Sequence, residues 1–412
     1  MSSSEVIMDL GVILAVGLLV LPLASLLRVP FMLLLVGAGS LLGPAVFDVI
    51  EISLDSTGVQ TLLTLGVSMI LFHGGLHLSL TVLSRVKVGL GMLVVPGVIA
   101  TTAICGLAAA WFFHVPVTMG LLIGAAIAPT DPAILIPLFE RMGLQPKLRQ
   151  TIVAESALND PTGAVVALTM LGVVAGGKSL DATPIIDFLH EIGISLAIGI
   201  AAGVVLALVV SHSKWGLWRE SAGIAVLAIV ALTFFTVQKS GAESGYLGPF
   251  VAGLIVGNMD RLKLGMHTEH ERDMRTLVQG LSDILVIFVF VILGANLPWS
   301  AMGEFWLPAL GVVLVLIFIA RPIVIAVCLL PDRRGGWVRP ELLFMMWTRE
   351  TGVVPAALAG IIAARGIEHA DLVTVTVAMA ILVTLALQAS TKGLLARRLG
   401  LASPGPGTGG DA

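Results

Sequence analysis

Three carboxylates in two short motifs, Ala128-Pro129-Thr130-Asp131-Pro132 and Glu155-Ser156-Ala157-Leu158-Asn159-Asp160, fall inside apolar runs long enough to cross a bilayer. A carboxylate at the centre of a membrane helix costs roughly 2.5 to 3.5 kcal/mol on insertion scales, so such a cluster marks a place where protons or cations are handled. Polar contact between packed helices is the structural alternative. Counting charges within the apolar runs sets Asp131, Glu155, Asp160 and Glu350 against Arg321 and Arg349. Pairing both arginines leaves two carboxylates to meet protons, cations or helix dipoles. Burial favours the protonated acid and a bound cation favours the anion, so one acid can hold either partner. That competition is the chemistry of exchange. On a helix, Glu155 and Asn159 share a face and Asp160 lies on its flank, so their roles can differ.

The elements that carry these residues follow from composition. Of 412 residues 57% are hydrophobic and 12% charged, and the mean hydropathy is +1.03. Such a chain is a polytopic membrane protein and not a soluble globular domain. A spanning helix needs about 20 apolar residues. Thirteen runs qualify, near 10–27, 29–47, 58–80, 88–113, 116–139, 148–175, 185–210, 221–237, 244–257, 275–297, 304–330, 340–363 and 370–395. Their continuous apolarity predicts an all-α bundle in preference to a β-barrel, whose strands would alternate. Pro129 and Pro132 break the fifth run, and Gly352 and Pro355 break the twelfth. Interrupted helices in matching positions of two halves point to a secondary transporter, here with inverted repeats at approximately 10–175 and 221–395. Asp131, inside the first break, can offset the positive ends of half-helices.

Lys and Arg set the orientation. With the N-terminus outside, eighteen cations fall on the cytoplasmic side, Lys392, Arg397 and Arg398 among them, against Lys178, Lys239 and Arg365 outside. The chain is therefore expected to form one transmembrane unit over 1–397 with a short disordered cytoplasmic tail over 398–412. Glu5 and Asp9 precede the first apolar run, which argues against a cleaved signal. Cys105 and Cys328 read as packing residues, and no basic run suggests nucleic acid. No cofactor or catalytic motif is present, so the expected partners are membrane lipid, monovalent cations and protons.

The two acidic motifs, together with Phe72-His73-Gly74-Gly75-Leu76, Ile319-Ala320-Arg321-Pro322 and Gly352-Val353-Val354-Pro355, resemble the monovalent cation:proton antiporters, specifically the NhaP-type sodium/proton exchangers related to animal sodium/hydrogen exchangers. The resemblance covers nearly the whole chain. It implies a homodimer in which a core domain, built on crossed broken helices, moves against a scaffold in a prokaryotic cytoplasmic membrane. Asp160 is then the shared carrier of cation and proton, with Thr130 and Ser156 as oxygen ligands of transported Na+. Asn159, an amide where electrogenic relatives carry Asp, implies electroneutral one-for-one exchange. Glu155 becomes the structural partner of an arginine, Arg321 before Arg349.

Two departures stand out. Thr348-Arg349-Glu350-Thr351-Gly352 replaces the more usual Leu-Arg-Gly, and Glu350 is expected to neutralise Arg349 or to line the ion path. His73 and His77 stand where many relatives carry an acid; they suit pH sensing or simply polar packing on one helical face. Two rival assignments remain open from the residues alone: potassium/proton exchange, and a channel or non-transporting sensor.

Overall fold

The computed structural model describes residues 3–27, 29–50, 52, 54, 56–80, 87–130, 143–176, 183–212, 215–241, 245–332 and 335–402. Each of the thirteen apolar runs contains helix, and no extended strand occurs among the described residues. Nine helices among them are long and apolar enough to cross a membrane, and four shorter ones, Phe31–Leu42, Val117–Ala126, Leu247–Gly257 and Val353–Ala363, supplement them. The outer surface is apolar: Leu18, Leu19 and Trp111 are 70 to 72% exposed, as side chains facing lipid tails are.

Burial separates centre from periphery. Some 72% of the apolar stretch of Pro146–Gly176 is buried, against 22% of that of Ile7–Leu27. The central helix carries Glu155 to Asp160 and packs against Val117–Ala126, Thr57–His77 and Val353–Ala363. Lipid tails are as apolar as leucine, so close backbone approach and buried polar contacts take over the task of joining helices. Where Thr57–His77 crosses Leu247–Gly257, a Cβ on Gly253 would lie 2.1 Å from the Phe72 carbonyl oxygen, which only glycine allows.

Two helices stop within the core. Val117–Ala126 gives way to non-helical residues at 127–130, and the segment 348–352 separates Arg339–Trp347 from Val353–Ala363. Asp131, Pro132 and the rest of the fifth run, together with residues 140–142 after it, lie outside the described residues. Wider π-helical turns occur at Leu316–Ala320, directly before Arg321, and at Thr384–Ala389. Such turns often accompany functional sites because they swing neighbouring side chains out of the regular register. At the C-terminal end the chain stays packed beyond Arg398: Leu401 is buried and Ala402 bridges to Leu144. The expected tail thus begins later than residue 398, and residues 403–412 lie outside the described part.

Candidate functional site

The central helix and the non-helical turn at 127–130 meet face to face. Contact is close because residue 163 is glycine; a Cβ there would fall 2.5 Å from Pro129 Cγ. Thr130, four residues past the end of Val117–Ala126, is joined to the central helix at three points. Its backbone N–H donates to Asn159 Oδ1 at 3.1 Å, and its Oγ1 accepts from Asn159 Nδ2 at 2.8 Å. Ser156 Oγ donates to the Thr130 carbonyl at 2.8 Å and lies 2.9 Å from Thr130 Oγ1. The Thr130 backbone and hydroxyl are thereby fixed by side chains one helical turn apart.

Asp160 follows one turn after Ser156 and is 8% exposed, buried but not sealed. Pro161 comes next within the helix. Its ring nitrogen has no proton to donate to the carbonyl of Ala157, so the helix loses one internal bond at this level. Carboxylate, hydroxyl and carbonyl oxygens are the donor types that suit a hard, weakly held monovalent cation.

A second layer is cationic. Arg321 is buried and meets the Glu155 carboxylate with both terminal nitrogens, Nη2 reaching Oε2 at 3.0 Å and Nη1 contacting Oε1. The same guanidinium donates from Nε to the Met345 carbonyl and from Nη2 to the Thr348 carbonyl, each at 3.0 Å. A planar fork with five donors satisfies a carboxylate and two helix-end carbonyls at once, which a lysine cannot do. Arg349 turns to the other break: Nη2 donates to the Ala128 carbonyl at 2.5 Å, and Ile127 O lies 3.4 Å from Nη1. Each arginine therefore satisfies carbonyls left open where a helix stops.

One expectation is corrected here. Glu350 does not neutralise Arg349; it forms an ion pair with Lys392, both side chains fully buried. Lys392, read from the sequence as a cytoplasmic-side cation, is a core residue. Lys392 thus adds a third buried cation to the two arginines counted from the sequence. A sequence signal existed, since Thr384, Gln388 and Lys392 repeat at four-residue spacing inside the last apolar run.

His73 and His77 lie on one face of Thr57–His77, their rings 4.5 Å apart and perpendicular, with His77 Nδ1 3.0 Å from the His73 carbonyl. His73 is half-buried and His77 exposed. Asp131 lies outside the described residues. No group of three or more His, Cys, Asp or Glu among the described residues is arranged to hold a resident metal ion.

A helical membrane protein with two interrupted helices, buried arginines on their open ends and a carboxylate beside a hydroxyl-amide network defines a class: secondary transporters of small cations. Comparison with known proteins narrows it. The family profile described as "Sodium/hydrogen exchanger, transmembrane" matches residues 11–397. The chain belongs to this sodium/hydrogen exchanger family. It is 28% identical to the probable Na(+)/H(+) antiporter 2 of Methanocaldococcus jannaschii over 384 residues, covering 90% of this chain and 87% of that protein. It is 31% identical to the K(+)/H(+) antiporter NhaP of Alkalimonas amylolytica over 86% of its own length, but spans only 59% of that relative. Among solved structures, the sodium proton antiporter MjNhaP1 from Methanocaldococcus jannaschii at pH 8 superposes with a TM-score of 0.83 at 27% identity, over 96% of this chain and 99% of that one.

Proposed function

We propose that this chain exchanges a monovalent cation, sodium or lithium foremost, for a proton across the membrane, one for one. The observation that carries the proposal is the fully buried join of Thr130 to Ser156 and Asn159 one turn from Asp160. Asp160 is the shared carrier, and Thr130 and Ser156 add oxygens to the passing cation. Asp131, which lies outside the described residues, is a further candidate at the same break. Asn159 contributes an amide and no second charge, which favours electroneutral turnover. Glu155 is committed to Arg321 and stays out of the cycle.

An empty, ionised Asp160 is costly to carry through the membrane core, so it crosses loaded with a cation or a proton. Obligatory loading couples the two fluxes by alternating access. In this reading the chain is a homodimer in a prokaryotic cytoplasmic membrane and serves pH homeostasis. Its N-terminus is outside and its C-terminus cytoplasmic, and core and dimer-forming parts interleave over 1–397. Potassium/proton exchange is the second reading, favoured by the 31% identity to a K(+)/H(+) antiporter.

The decisive measurement is proton flux from proteoliposomes at clamped potential after addition of sodium, lithium or potassium. Wild-type protein is expected to release protons on sodium or lithium addition, and Asp160→Asn to assemble yet remain silent. A response to potassium alone selects the second reading. Ion-dependent flux that survives in Asp160→Asn sinks the carrier assignment.

A further inference from the structure

The segment 348–352 is held from three directions. Arg321 binds the Thr348 carbonyl, and Arg349 reaches across to Ile127 and Ala128, two residues before Thr130. The last helix supplies the third hold. There Trp347 Nε1 donates to Thr391 Oγ1 at 2.8 Å, the Thr351 N–H donates to Thr384 Oγ1 at 3.1 Å, and Glu350 pairs with Lys392. Four consecutive buried residues, Thr348 to Thr351, are thus each anchored, on three separate parts of the protein.

Of these anchors the Glu350–Lys392 pair is the one a mere packing contact does not account for. Both side chains are fully buried. Two desolvated charges are commonly no better for stability than well-packed apolar residues of similar volume, whereas losing one of them is severe. Lys392 follows the π-helical turn Thr384–Ala389 by three residues, four after Gln388, whose buried amide has no hydrogen-bond partner among the described residues. A joint optimised only for rigidity would satisfy that amide. What the pair does fix is register: its geometry sets Glu350, hence Arg349 beside it, hence the carbonyls of Ile127 and Ala128 and the position of Thr130.

We infer that Glu350 and Lys392 are positioning residues for exchange: their buried ion pair holds the interrupted segment so that Arg349 keeps Thr130 in place beside Asp160. Neither residue touches the transported cation. This inference rests on the exchange reading above, and it ties the cation site to the last helix through a chain of four contacts: Lys392 to Glu350, the peptide to Arg349, Arg349 to Ala128, and the turn to Thr130.

The test compares wild type, Lys392→Arg, Lys392→Met and the double variant Glu350→Gln, Lys392→Met in proteoliposomes, with flux normalised to assembled protein measured by size exclusion. Lys392→Arg keeps the pair and is expected to keep the apparent KM for sodium or lithium. The double variant leaves no stranded charge, assembles, and is expected to raise that KM at least fivefold while kcat changes less than twofold. Wild-type KM in the double variant overturns the inference. So does failure of the double variant to assemble while Lys392→Arg assembles normally, since the pair then serves only the scaffold. If wild type itself exchanges nothing under these conditions, it is the exchange reading that fails.

Discussion

At the level of single residues the chain separates two uses of charge. Glu155 and Arg321 are mutually satisfied, and the guanidinium also carries two main-chain carbonyls. Removing the cation leaves a buried carboxylate and two open acceptors, a loss of about 3 to 5 kcal/mol. Arg321→Met is therefore expected to cut the yield of folded protein sharply and lower its thermal midpoint. Combining it with Glu155→Gln should recover much of the assembly, because no charge is then stranded. Fluorescence-detected size exclusion with a melting series checks both; equal damage in single and double variants refutes the view that the stranded charge is the cause. The types and spacing of Glu155, Asn159 and Asp160 were readable in sequence because charge within apolar runs is rare. The partner of Glu350 was not. Lys392 lies near the end of its run, where a long ammonium side chain ordinarily reaches the interface, and only packing shows that it points inward.

At the scale of elements, hydropathy predicted where helices run because the bilayer leaves few other options for a buried backbone. It could not tell how close two elements approach. The turn at Pro129 and the central helix pack so tightly that a side chain at position 163 collides with the proline ring. Gly163→Val must push the turn away and pull Thr130 from Ser156 and Asn159. Overpacking of this kind costs about 1 to 3 kcal/mol. The expected outcome is a protein that still inserts and assembles, with a lowered melting midpoint and a raised apparent KM for the cation. Unchanged flux kinetics in assembled Gly163→Val would show that the turn does not need its present position. The two π-helical turns were equally hidden in the sequence, since a single extra residue in a helical turn leaves the apolar pattern intact while re-aiming Arg321 and Lys392.

For the whole molecule, three interrupted or widened elements converge on one point: the turn at 127–130, the segment 348–352 and the last helix. Buried apolar residues pack around them. In the proposed exchange a carboxylate there takes either a proton or a cation, and this exclusion has a quantitative signature. Well above the midpoint of Asp160 protonation the apparent cation KM should be independent of pH. Below it, each unit of acidification cuts the free carboxylate about tenfold, and the apparent KM should rise roughly tenfold per pH unit. Initial rates against sodium concentration at a series of pH values, equal on both sides of the vesicle membrane, measure the slope. A slope near one across the acid range supports a single shared carboxylate. A KM that stays flat while maximal rate falls would mean that protons act elsewhere, at His73 and His77 among other groups, and that cation and proton do not share Asp160. The sign of the effect also assigns the working range, because the same competition that weakens cation capture in acid speeds cation release on the acidic side of a membrane. An exchanger built on one carboxylate therefore draws its direction from the two gradients and needs no separate gate for each ion.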